Sequence, residues 1–237
     1  SPRVRIGCIV PAINVVAEDD FIALGPPQAG VHFARADVDR TRDLASQFQQ
    51  MVDDAPRLAA VLAKAGVAVV AFACTSASFF RGPGADRALD EAMSARAGVP
   101  AVSTATAVVE ALRALGVGRI AVATPYVQWV YEAEEAFLTA AGFGVLAING
   151  LGLEGGRAIS SLPGDEIRRL AADVDRPEAE ALFISCTDLP ALAHIERLER
   201  EHGKPVVTSN QATFWAAART AGLGPIPGYG QLLARFL

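Results

Sequence analysis

Two cysteines carry the strongest chemical signal in the chain. Cys74 falls in Val69-Val70-Ala71-Phe72-Ala73-Cys74-Thr75-Ser76, and Cys186 in Ala181-Leu182-Phe183-Ile184-Ser185-Cys186-Thr187-Asp188. The segments read as copies: an apolar run stops at Cys-Thr and gives way to small, polar or turn-forming residues. The apolar run is the pattern of a buried parallel strand. A residue at the carboxyl end of such a strand stands at the rim where open α/β sheets hold their ligands. The copies lie nearly half the chain apart, which points to two similar lobes, each offering one thiol to a shared cleft. Two thiols facing one small substrate can move protons on and off carbon without a cofactor. The N–H groups of Thr75-Ser76 and Thr187-Asp188 fall where helix starts or tight turns are expected. Such groups bind carboxylates and lower a thiol's pKa, so at least one of the two thiols is expected to ionise easily. A thiol of near-neutral pKa serves as base, acid or nucleophile. A single free cysteine is often only a small buried hydrophobe, and it is the pairing that favours chemistry. Cys8, set among Ile6, Ile9 and Val10, reads as core.

Other polar residues stand at expected strand ends. Asn14 follows Val10-Pro11, where it could bind a carboxylate or cap a turn. Glu18, four residues on, could share its side of a helix start. Tyr126 follows Ala123-Thr124-Pro125, with a hydroxyl able to donate to an anion or to be satisfied within the core. His32, His194 and His202 are isolated, and no spacing of His, Asp or Glu forms a metal site. No serine elbow is present. Gly82-Pro83-Gly84 lacks the Lys-Ser/Thr ending of a phosphate loop, and Gly150-Leu151-Gly152 lacks the third glycine in register for a dinucleotide site. Neither a metal nor an organic cofactor is expected.

The elements that position these residues alternate along the chain. Strands are expected at 4–10, 31–38, 67–74, 99–102, 119–124, 143–148, 181–186 and 205–207. Helices are expected at 43–66, 87–97, 104–115, 130–141, 163–174, 189–202 and 211–221, with a last turn or two at 231–237. Strands separated by helices of this length form βαβ units and a parallel sheet, hence an α/β fold. With no Pro- or Ser-rich linker, the lobe boundary is placed near Val102–Thr104. Residues 1–102 plus about 208–237 then form the first lobe, and 103–207 the second.

Composition bounds the rest. The 237 residues are 51% hydrophobic, which excludes a disordered chain. The net charge of −5 and scattered basic residues argue against a nucleic-acid partner, and the apolar stretches are too short for a membrane span. The opening Ser1-Pro2-Arg3-Val4-Arg5 enters a strand pattern without a signal-peptide pattern. Three cysteines without tight spacing fit a reducing cytoplasm better than a disulfide framework. Assembly into a homo-oligomer is left open.

Taken together, these residues resemble the aspartate/glutamate racemase superfamily, and within it the maleate isomerase and arylmalonate decarboxylase family, over nearly the whole chain. Val10-Pro11-Ala12-Ile13-Asn14-Val15-Val16-Ala17-Glu18 is similar to the Val-Pro-x-x-Asn-x-x-x-Glu element of maleate isomerases. Thr75-Ser76-Ala77-Ser78-Phe79-Phe80-Arg81-Gly82, Ala111–Val117, Phe214-Trp215 and Pro227-Gly228-Tyr229-Gly230 look more like arylmalonate decarboxylase. The resemblance implies two flavodoxin-like parallel-sheet lobes related by pseudo-twofold symmetry, with the active site between them. It places the family's two cysteines on Cys74 and Cys186, its substrate-binding asparagine on Asn14 and its tyrosine on Tyr126. Thr75, Ser76 and Thr187 supply N–H groups for the substrate carboxylate. Two departures stand out. Arylmalonate decarboxylases carry glycine where this chain has Cys74, and the second substrate asparagine of maleate isomerases falls near Gly156. The expected activity is a cofactor-independent isomerase or racemase of a small carboxylic or dicarboxylic acid. The alternatives are a decarboxylase of disubstituted malonates, with Cys186 as proton donor, and a non-catalytic carboxylate-binding protein.

Overall fold

The computed structural model describes residues 3–27 and 29–237, so Ser1 and Pro2 of the N-terminal reading lie outside the described residues. Eight strands run through the described chain: β1 Val4–Pro11, β2 Ala29–Ala36, β3 Val69–Phe72, β4 Ala101–Ser103, β5 Arg119–Tyr126, β6 Gly144–Leu153, β7 Ala181–Ile184 and β8 Val206–Thr208. The helices are α1 Val16–Leu24, α2 Leu44–Ala63, α3 Thr75–Phe79, α4 Ala85–Ala97, α5 Thr104–Ala114, α6 Gln128–Ala140, α7 Arg157–Ser160, α8 Gly164–Val174, α9 Ile195–His202, α10 Ser209–Thr220 and α11 Gly230–Arg235.

The strands form two four-stranded sheets of one topology, β2-β1-β3-β4 and β6-β5-β7-β8, parallel throughout. The α/β fold with two like lobes is therefore as the sequence implied. The central strands are apolar because both faces are covered: every residue of β3 and β7 is buried. In each sheet the order reverses between the first and third strands, and the crevice beyond their carboxyl ends is the natural ligand site. Asn14 and Cys74 follow β1 and β3. Tyr126 closes β5, and Cys186 follows β7. Cys8 lies fully buried in β1, its thiol pushed up by burial.

Helix α10 ties the halves together. Thr208 and Gln211 form a capping box at its start. The helix packs against α1, α5, β3 and β4 as well as β8. Thr213 Oγ1 donates to Thr104 Oγ1 at 2.9 Å, and Arg219 pairs with Glu110 at 2.6 Å.

The structure departs from the expected elements in instructive places. The cysteines lie two residues beyond their strands rather than within them. The expected helix at 189–202 splits into a turn, a short 3-10 segment at Leu192–His194 and α9, because Pro190 has no N–H to donate and disfavours helical geometry before it. Strand β6 runs on to Leu153 through Gly150-Leu151-Gly152. At Gly150 a Cβ would collide with the Tyr126 carbonyl oxygen, so glycine permits the close approach of β6 to β5. Among the described residues, no helix is long and apolar enough to cross a membrane, and no cluster of His, Cys, Asp and Glu could hold a metal ion.

Candidate active site

A cleft of about 620 Å³, open to solvent, lies between the carboxyl edges of the sheets. It brings together all seven residues singled out from the sequence: Asn14, Cys74, Thr75, Ser76, Tyr126, Cys186 and Thr187. Phe48 and Met51 of α2, Val130 of α6 and Ile159 of α7 make up much of an apolar wall.

Each thiol is aimed by the turn that carries it. Cys74 is extended at φ −147° and caps α3. The Ser76 hydroxyl lies 4.0 Å from its sulfur. Cys186 has φ +102°, the only positive φ outside glycine among the described residues. Left-handed backbone on a residue with a Cβ costs on the order of 1–3 kcal/mol and persists only where the surroundings impose it. Here they do. The Cys186 N–H donates to Ser209 Oγ at 3.0 Å, and the Asp188 N–H reaches back to the Cys186 sulfur at 3.4 Å.

A hydrogen-bonded chain surrounds both sulfurs. The Tyr126 hydroxyl lies beside Thr75 and Cys186 in the cleft. Thr75 Oγ1 donates to Ser209 Oγ at 2.9 Å, and Ser209 holds Cys186 as described. Across the lobes, Asn14 Nδ2 donates to Thr187 Oγ1 at 3.1 Å while Asn14 Oδ1 accepts from the Ala17 N–H at 2.9 Å. Asn14 thus faces the cleft and also caps α1. Glu18 does not line the cleft: its carboxylate pairs with Arg35, which also donates to the Asn14 carbonyl oxygen at 2.8 Å.

The ionisation of the thiols corrects the expectation from sequence. Burial pushes Cys74 up to about 11 and Cys186 further still. The N–H groups of Ala77 and Asp188 pull downward, but desolvation of a charged sulfur outweighs them. Tyr126 is likewise raised by burial and stays a neutral hydroxyl. Both thiols therefore rest protonated at neutral pH. Iodoacetamide should therefore modify Cys74 and Cys186 more slowly than a simple thiol at pH 7. The Cys74 rate should climb about tenfold per pH unit below its pKa. Peptide mass spectrometry of enzyme alkylated at pH 7, 8 and 9 checks this, and a rate flat across that range would contradict it.

Three side chains escaped the sequence reading. Asp188 lines the cleft, is 7% exposed, and accepts from the N–H groups of Val15 and Val16. Burial raises its carboxyl to about 6. Its signal was the mismatch between the copies, Cys-Thr-Ser against Cys-Thr-Asp. Ser209 lies far along the chain, and only tertiary structure brings it to the thiols. Glu134 is buried behind the site, with Ser185 Oγ donating to it at 2.5 Å and its Oε2 without a partner. Gly156, at the position matched to a substrate asparagine, also lines the cleft, with the Arg40 guanidinium beside it.

Comparison with known proteins places this arrangement. The profile of the arylmalonate decarboxylase family matches residues 6–233. Arylmalonate decarboxylase of Bordetella bronchiseptica is 39% identical over 189 residues, 78% of this chain and 77% of that protein. Maleate isomerase of Nocardia farcinica is 33% identical over 238 residues, 97% of this chain and 95% of that protein. A solved structure of a Nocardia farcinica maleate cis-trans isomerase mutant with a covalently bound succinylcysteine intermediate superposes with a TM-score of 0.92 at 29% identity, covering 98% of both chains. With a matched profile over nearly its whole length and relatives of both activities spanning its fold, the chain belongs to the arylmalonate decarboxylase and maleate isomerase family.

Proposed function

We propose that the protein is a cofactor-independent isomerase or racemase of a small carboxylic acid, using Cys74 and Cys186 on opposite sides of the substrate. The observation that carries this reading is the pair of buried thiols at equivalent turns of two like lobes, both lining one cleft. The substrate carboxylate sits against the N–H groups of Thr75, Ser76 and Thr187 and the neutral Tyr126 hydroxyl, which stabilise charge developing on it. Asn14 adds its amide. Cys74 starts the reaction as the thiolate, its thiol proton having passed to solvent through the open cleft.

With an unsaturated acid, the Cys74 thiolate adds to one alkene carbon and the neighbouring carbon takes the Cys186 proton. The new single bond rotates, Cys186 recovers the proton, and the C–S bond breaks to give the trans acid. The covalent intermediate described for the Nocardia farcinica enzyme supports this route. With a stereocentre beside the carboxylate, Cys74 removes the α-proton and Cys186 delivers its own to the other face. The 39% identity to arylmalonate decarboxylase favours a second reading. In it a malonate loses CO₂ against the apolar wall, and Cys186 protonates the enediolate. Residues 1–102 with about 208–237 would form one half of the site and 103–207 the other. A reducing cytoplasm suits its free thiols.

Proton NMR in D₂O with maleate, aspartate, methylphenylmalonate and 2-arylpropionates separates the routes. Cis–trans conversion or α-proton exchange supports the first reading, and CO₂ loss the second. Binding of these acids without turnover would sink both.

A further inference from the structure

The two halves of the cleft carry different charge. The first Cys-Thr turn ends in Ser76, which is neutral, and the second ends in Asp188. Asp188 Oδ1 is engaged by the Val15 N–H at 3.3 Å. The Asp188 side chain lines the cleft and is 7% exposed. No lysine, arginine or histidine lines the cleft among the described residues. The Arg40 side chain, beside Gly156, is exposed and is not itself part of the lining. An anionic oxygen in a poorly solvated site, with no cation to offset it, repels a second carboxylate on the ligand and attracts an ammonium group.

Resting on the two-thiol reading above, we propose that Asp188 sets substrate specificity. It selects a monocarboxylic acid with an ammonium group next to the carboxylate and an apolar tail, and it rejects dicarboxylates. The carboxylate lies in the neutral half, against Thr75 and Ser76. The ammonium group meets the Asp188 carboxylate, and the tail packs on Phe48, Met51 and Ile159. At neutral pH a carboxyl group with a pKa of about 6 is largely ionised, which suits this role.

Three ligands differing only in the group at the α-carbon isolate the effect: 3-phenylpropionate (hydrogen), L-phenylalanine (ammonium) and benzylmalonate (carboxylate). Calorimetric titration of the wild-type protein at pH 7.5 should show phenylalanine binding at least ~10-fold tighter than benzylmalonate, with phenylpropionate between. Asp188→Asn keeps the acceptor for Val15 and removes the charge. It should erase or reverse that order while leaving phenylpropionate within about threefold. Asp188→Glu, with the charge retained, should restore the preference in part. Equal binding of phenylalanine and benzylmalonate by the wild type, an order unchanged in Asp188→Asn, or failure of all three to bind would each overturn the proposal. The titration reads affinity alone. Loss of the two-thiol reading would show instead as cysteine-independent turnover in the D₂O experiment.

Discussion

Cys74→Gly should abolish isomerisation or racemisation, with a loss of at least ~10²-fold, the lower range of what a positioned acid–base group contributes. Cys186→Ala should be as damaging. Neither substitution should unfold the protein. Cys74 lies in an extended conformation that glycine adopts, and Cys186→Ala preserves the Cβ and leaves the Ser209 bond to the backbone N–H intact. The two variants differ in what they mean. Isomerisation and racemisation need a group on each face of the substrate, whereas decarboxylation needs a single proton donor. Turnover measured by NMR on the true substrate decides between them. Activity that survives in Cys74→Gly and dies in Cys186→Ala would replace the isomerase reading with the decarboxylase one. Activity that survives both would reduce the paired thiols to core packing.

The second large effect concerns stability. Glu134 is 1% exposed, with its carboxyl raised by burial from 4.5 to about 8. The folded protein therefore holds a proton on Glu134 over a range in which the unfolded chain has released it. Between pH 4.5 and about 8 the unfolded state binds fewer protons, so stability falls as pH rises. The decline ends once Glu134 ionises in both states. Glu134→Gln mimics the protonated acid, retains the acceptor for Ser185 Oγ and does not titrate. The variant and the wild type should be equally stable near pH 4. The variant should gain with rising pH, up to ~4 kcal/mol above pH 8. Asp20 and Asp90, each raised to about 7, titrate alike in both proteins and cancel in the difference. Urea unfolding of the pair at pH 4, 6 and 8.5 measures the effect. Parallel stability curves would show that Glu134 is charged in the fold and partnered there.

What could be read from the sequence follows from how each feature is encoded. The central strands were legible because burial on both faces demands an unbroken apolar run, as in Val69–Phe72 and Ala181–Ile184. The long amphipathic α2 was legible through Phe48, Met51, Leu58 and Leu62, and Asp43 accepts from the Ser46 N–H at its start. Helices α1, α3 and α7 were not assigned. The latter two span only five and four residues, too few for a periodic signal. The cysteines stood out because their turns are repeated. Their ionisation did not, since it is set by desolvation, a property of everything packed around the sulfur. Ser209 and Glu134 were invisible for the same reason: their roles exist only once α10 and α6 are docked.

The Ser209 hydroxyl has an evolutionary consequence. A protein of two like halves could in principle alter one half of its site while conserving the other. Here one oxygen accepts from the Thr75 hydroxyl of one half and the Cys186 N–H of the other. A change at that atom reaches the Thr75 turn beside Cys74 and the Cys186 backbone at once. The halves of this site are thus not free to diverge separately.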